Sequence, residues 1–159
     1  MTYSPNDIRL ELDSLDRKLL NLLSQNSRIT NAELAAACGI APSTCLGRVK
    51  SLINSGVISG FTTKLDRKLI GLNNQVLISV TLKAGARSHL AEFMEQMSQH
   101  PDVIQVFFLG GQEDFIVHLG AKSSDQVREF VLENLSNNPA VAATRTNMVF
   151  DHFSKAPTL

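Results

Sequence analysis

Three features between residues 30 and 42 constrain this chain more than anything else in it. Thr30-Asn31-Ala32-Glu33 has the form of a capping box, in which a hydroxyl takes the N–H three residues on and a carboxylate reaches back. Gly39 stands where a helix C′ residue belongs, and a positive φ is cheap for glycine there. Pro42 suits the first turn of a new helix, where its missing N–H deprives nothing of a partner. The intervening NAELAAAC is alanine-rich, so a neighbouring helix can approach closely. Upstream, LDSLDRKLLNLLSQNS places Leu12, Leu15, Leu19, Leu22 and Leu23 on one stripe, with Asp13 as N-cap and Asp16 in the first turn.

A longer helix followed by two short ones around a glycine turn is a helix-turn-helix, whose last helix lies in the DNA major groove. That helix begins APSTCLGRVKSL, and Leu46, Val49 and Ile53 are expected to form its buried stripe. The remaining face carries Ser43, Thr44, Gly47, Arg48 and Ser51. Small groups let a helix sit close to the groove floor. Hydroxyls bond base edges or phosphate, and arginine suits guanine or phosphate. The competing reading is a plain helical bundle with a small exposed face.

Charge is distributed unevenly although the formal net charge is zero. Residues 27–70 hold six Lys/Arg against Glu33 and Asp66, whereas residues 71–159 hold six against nine Asp/Glu. A basic first part beside an acidic second part points to two jobs. In NSGVISGFTTKLD the alternation of Val57, Ser59, Phe61, Thr63 and Leu65 predicts a strand, either a wing or a connector. Lys64, Arg67 and Lys68 beside it are phosphate contacts or plain solvated cations. The predicted division is a DNA-binding domain over 1–64, a linker over 65–74 and a second domain over 75–159.

The second part alternates strand and helix. QVLISVTLK sets Val76, Ile78, Val80 and Leu82 against Leu77, Ser79 and Thr81. ARSHLAEFMEQMSQH carries a helical stripe of Leu90, Phe93, Met94 and Met97. Strands are predicted over 103–109, 114–121 and 141–153. A helix between the last two has Ser124 as its cap and Val127, Phe130, Val131 and Leu135 inward. The order β-α-β-β-α-β is that of the ferredoxin-like fold, which hosts many functions. The overall fold class is therefore α+β, a (winged) helix-turn-helix followed by a ferredoxin-like domain.

Several classes are set aside. No apolar run approaches the ~18 residues of a membrane span, and the opening MTYSPNDIRLELD lacks an apolar signal core, so a cytoplasmic location is expected. Cys38 and Cys45 are too few for a disulfide framework and read as small buried thiols. His89, His100, His118 and His152 have no metal-ligand spacing, no phosphate-binding loop is present, and no enzyme activity or cofactor is expected. His118 alternates with Ile116 and reads as a satisfied or exposed strand histidine.

The chain closely resembles the Lrp/AsnC ("feast/famine") transcription regulators over roughly residues 12–152. The resemblance rests on Leu12-Asp13 with Asp16, Arg28-Ile29-Thr30-Asn31, Glu33-Leu34-Ala35, Pro42, Cys45, Arg48-Val49 and Leu52. It continues through Gly56-Val57-Ile58, Gly60 and Gly71-Leu72, then Gly111-x-x-Asp114-Phe115 and Thr144-Arg145-Thr146. It implies an N-terminal domain that binds double-stranded DNA and a C-terminal domain that self-associates, to a dimer and onward to tetramer or octamer. It also implies a small effector, usually a free amino acid. The residues expected to meet DNA are Arg28, Asn31, Ser43, Thr44, Gly47, Arg48, Lys50 and Ser51. Those expected at the effector are Leu109, Gly110, Gly111, Gln112, Asp114, Thr144 and Thr146. Read without the resemblance, 110–114 is rather an ordinary β-turn, with Asp114 bonding its own backbone and two surface threonines nearby. Ala41, Gly47 and Gln112 depart from the family's usual serine cap, basic residue and acidic residue. The alternative function is an amino-acid-sensing partner of an enzyme with little DNA reading, which a gel shift on its own upstream region separates.

Overall fold

The computed structural model describes residues 11–155, so the outer ends of both predicted domains lie outside the described residues. The chain divides into two compact units, with the boundary between Thr63 and Lys64. The first unit holds α1 (Ser14–Gln25), α2 (Asn31–Cys38) and α3 (Pro42–Asn54). Asp13 caps α1 and forms a capping box with Asp16. Thr30 and Glu33 form the box of α2 as their spacing predicts, and Gly39 ends that helix at φ 71°. Leu19, Leu34, Ala35 and Cys45 form the small core, with Leu15, Ile40 and Val49 packed against it.

Two expectations in this unit are corrected. The buried face of α3 is not Leu46, Val49 and Ile53. Cys45 and Leu52 are buried and Val49 half-buried, while Leu46 and Ile53 are exposed. The helix is rotated so that 45, 48, 49 and 52 face inward, a stripe at the same helical spacing but one that includes an arginine. No strand forms over 57–65 either. The Ile58 N–H donates to Leu52 O at 3.0 Å, and Val57, Phe61 and Leu65 are exposed. Alternation makes a strand only where another strand pairs with it, and none does among the described residues.

The second unit is the predicted βαββαβ. Its strands are β1 (Asn74–Leu82), β2 (Val103–Phe108), β3 (Phe115–Ala121) and β4 (Val141–Met148), in the order β2-β3-β1-β4 and antiparallel throughout. One face of the sheet carries Val76, Ile78, Val80 and Leu82 into a core with Phe93 and Met97 of α4 (Leu90–Gln99) and Val127 and Phe130 of α5 (Ser124–Phe130). Leu77, Ser79 and Ile116 face the other way and stay half-exposed. On that face His118 is buried, with Nε2 3.1 Å from Gln75 Oε1 and Nδ1 3.4 Å from Gln105 Oε1. Burial first, then the Arg67 cation, lowers its pKa, and the two glutamine contacts make it a partnered strand residue.

Local boundaries differ from the sequence reading. A 3-10 segment, Ala84–His89, precedes α4, and α5 passes into a π-helical stretch, Val131–Ser136. The last strand ends at Met148 rather than 153. Ser123, not Ser124, caps α5, its hydroxyl accepting the Gln126 N–H at 3.2 Å. The two adjacent serines are equivalent by type, and only the residue with extended backbone can turn its oxygen onto the N–H three positions ahead. Ser123→Ala should therefore cost about 1 kcal/mol of stability and Ser124→Ala far less. Urea unfolding of the two variants checks it, and the reverse order would contradict this cap.

Candidate nucleic-acid interface and effector turn

The rotation of α3 decides which of its side chains look outward. Ser43, Thr44, Gly47, Lys50 and Ser51 are all exposed and form one strip along the helix. A Cβ built on Gly47 meets nothing within 4 Å, so the centre of the strip is open space. Ala41 gives α3 no side-chain cap, leaving the positive end of the helix without a protein acceptor from its cap residue. Arg28 is exposed in the turn before α2, its backbone N–H held by Asn26 Oδ1 at 3.0 Å.

Two side chains expected at DNA have partners inside the domain. Asn31 Nδ2 donates to Pro42 O at 2.9 Å, which ties the start of α2 to the start of α3. Arg48 is turned inward, with Nη1 2.7 Å from Asp13 Oδ2 and 2.8 Å from Asp16 Oδ1. Sequence type alone assigns arginine to the polar face. The signal for the other position was present in Asp13 and Asp16, two carboxylates one turn apart on a neighbouring helix.

In the second unit, residues 109–114 join β2 to β3. Gly110, Gly111 and Gln112 are exposed and Leu109 is half-buried. The turn is closed by the Leu109 N–H on Asp114 O at 2.8 Å, and the Asp114 N–H donates to Val80 O at 3.0 Å. Asp114 is buried, and its Oδ2 accepts the Leu82 N–H at 2.7 Å. The reason lies in where β1 and β3 part: their last pair is Val80 with Phe115, and the Leu82 N–H, on the same side of β1 as the Val80 C=O, lies past it. Asp114 thus latches the turn onto the end of β1. Glu113 Oε1 lies 3.5 Å from Arg145 Nη1.

Thr144 and Thr146 pair with Val80 and Ile78 on β4 and so share one face of the sheet, Thr144 half-buried and Thr146 exposed. Phe115, next to Asp114, pairs with Val80 from the opposite side. The threonines and the turn therefore lie at the same end of the sheet but two strands apart, roughly 10 Å. A groove of about 680 Å³ lies nearby, lined by Lys83, Glu92, Phe93 and Pro139 among others, and contains none of the predicted effector residues.

Residues 12–59 match the family described as winged helix-turn-helix DNA-binding, and residues 75–159 match the Lrp/AsnC ligand binding domain. The chain is 44% identical to the HTH-type transcriptional regulator AldR of Mycobacterium tuberculosis over 96% of its own length and 86% of that protein's. The chain belongs to the Lrp/AsnC family of transcriptional regulators. It is also 32% identical to the transcriptional regulator AzlB of Bacillus subtilis, over 87% of this chain and 88% of that one. The M. tuberculosis AldR crystal structure superposes with a TM-score of 0.81 at 38% identity, covering 95% of this chain and 99% of the other. A Neisseria meningitidis transcriptional regulator solved as its L-Met complex gives a TM-score of 0.83 at 27% identity, covering 93% and 96%. For this Lrp/AsnC member the first unit is thus the DNA-binding half and the second the ligand-binding half. No helix among the described residues is long and apolar enough to cross a membrane.

Two outcomes follow from these contacts. Asp114→Ala strands the Leu82 N–H and should cost about 1–3 kcal/mol. Asp114→Asn keeps an acceptor and should cost less, and equal unfolding midpoints for the two would dismiss the latch. The Asp13 carboxyl is held below its ordinary value, chiefly by the Asp16 N–H and next by Arg48. A depressed folded-state pKa stabilises the fold above the unfolded value, about 4, and that contribution is lost as pH falls through the folded value. Thermal midpoints of the wild type should therefore fall more steeply below about pH 4 than those of Asp13→Asn, and parallel curves would contradict the assignment.

Proposed function

We propose that the exposed strip of α3 reads operator DNA and that a free amino acid bound at the second unit modulates that reading. The observation that carries the DNA half is the outward row of Ser43, Thr44, Gly47, Lys50 and Ser51, small enough for close approach and free of carboxylates. Hydroxyls and one lysine there bond base edges or phosphate, and the uncapped start of α3 favours a phosphate. Arg28 adds a cation beside the reading pair, and Asn31 holds the angle between α2 and α3.

For the effector half, the turn formed by Leu109, Gly110, Gly111 and Gln112 offers exposed backbone to a carboxylate. Asp114 fixes its shape, and Thr144 and Thr146 present hydroxyls at the same sheet end. The relative crystallised with L-Met supports an amino acid as the ligand class. Self-association belongs to this reading. The threonines and the turn stand too far apart in one chain to clasp one small zwitterion, and Phe107, Leu69, Phe150 and Phe153 are exposed apolar groups available to a second copy. Two-fold assemblies bind paired half-sites about one helical turn apart.

Fluorescence anisotropy on duplex DNA from upstream of its own gene, with a panel of free amino acids, tests the whole. Specific retention that shifts with one amino acid is expected, and retention equal to that on unrelated duplex would refute it. Gly47→Glu should abolish operator affinity by placing a carboxylate in the open centre of the strip. Gly47→Ala should stabilise the helix by up to about 1 kcal/mol and bind no better. Unchanged affinity in Gly47→Glu would remove α3 from the interface.

A further inference from the structure

The two carboxylates around Arg48 form a closed ring with the cap of α1. Asp13 Oδ1 accepts the Asp16 N–H at 2.7 Å and Asp16 Oδ2 accepts the Asp13 N–H at 3.4 Å. Each residue spends its other oxygen on the same Arg48 nitrogen. The ring sits against the middle of α3, six residues beyond Pro42, where Asn31 makes the other polar tie. One fastening leaves a helix free to swing about it, and two fix its direction.

We infer that Arg48 is a positioning residue for DNA reading: held by Asp13 and Asp16, it sets the angle of the recognition helix and makes no DNA contact itself. This rests on the reading of α3 as the DNA-facing helix. Its effect on affinity exceeds its effect on stability, because a half-exposed ion pair adds little to stability, whereas base-edge contacts need the helix axis correctly set.

The two possible roles of Arg48 give opposite signs when its carboxylates are neutralised. If Arg48 contacts phosphate, Asp13→Asn with Asp16→Asn removes repulsion near DNA and tightens binding. If Arg48 is a positioner, the same pair frees the guanidinium and weakens binding. Asparagine still serves as an N-cap, so α1 keeps its start. The experiment is anisotropy of the full chain on its own upstream duplex and on an unrelated duplex, across a salt series. Arg48→Ala and the Asp13→Asn/Asp16→Asn pair should each weaken operator binding by ~10-fold or more, and combining them should add nothing further. The slope of log affinity against log salt should stay unchanged in Arg48→Ala, where a lost phosphate contact lowers it by about 0.9. Arg48→Lys should recover most of the loss, since a single nitrogen makes both bonds, whereas a forked contact to guanine would not be rescued. Tighter binding by the asparagine pair, a lowered salt slope, or additive losses overturns the inference while leaving the DNA-reading proposal standing. If the asparagine pair unfolds, the salt slope and the lysine rescue decide alone. A wild-type chain that prefers no duplex overturns the proposed function and this inference with it.

Discussion

The second unit depends on the pairing of β1 with a neighbour on each side. It is the only one of the four strands to link β3 to β4, and its alternate residues Val76, Ile78, Val80 and Leu82 fill the interior under the helices. A shift of one residue would turn all four outward. The register is therefore held at the far end as well as along the ladder, and the Asp114 carboxylate on the Leu82 N–H does this just past the last β1–β3 pair, Val80 with Phe115. The same contact gives the β2–β3 turn its position, so the geometry of the candidate effector region is an extension of the sheet.

The DNA-binding unit follows a different economy. Three helices of 12, 8 and 13 residues enclose few buried side chains, so polar ties carry part of the orientation. The Glu33 carboxyl, drawn below its ordinary value by the Thr30 hydroxyl and N–H, fixes where α2 begins. Asn31 and Arg48 then hold α3 from within. The outward strip of Ser43, Thr44, Gly47, Lys50 and Ser51 carries no negative charge, and exposed Leu46 and Ile53 lie outside it.

Much of this was legible in the sequence wherever a residue type has one strong local preference. Thr30 with Glu33, Gly39 and Pro42 each dictate a backbone conformation, and the alternation of 76–82 dictates a face. Family-level signals in Gly111-x-x-Asp114-Phe115 and Thr144-Arg145-Thr146 point to a candidate effector region, but nothing in them gave the contact of Asp114 with the Leu82 N–H. Legibility ended where type and partner diverge. Leu46 and Ile53 are apolar yet exposed, because α3 turns Cys45 and Leu52 inward in their place. Arg48 is polar yet turned inward, because two carboxylates wait on α1. The 57–65 alternation was a strand pattern without a strand to pair with. Neither Asp114 nor Ser123 could be placed without knowing which N–H groups the ladder and the helix leave over.

The Leu82 amide occupies an unusual place as a result. Its proton leaves only when a side chain across the turn lets go, so its exchange with solvent measures the turn rather than the sheet. A molecule that settles on residues 109–114 and tightens them would slow that one amide, and a molecule that pries them open would hasten it. The chain thus carries a built-in isotopic reporter on the region nearest its candidate effector, readable without any label on the ligand.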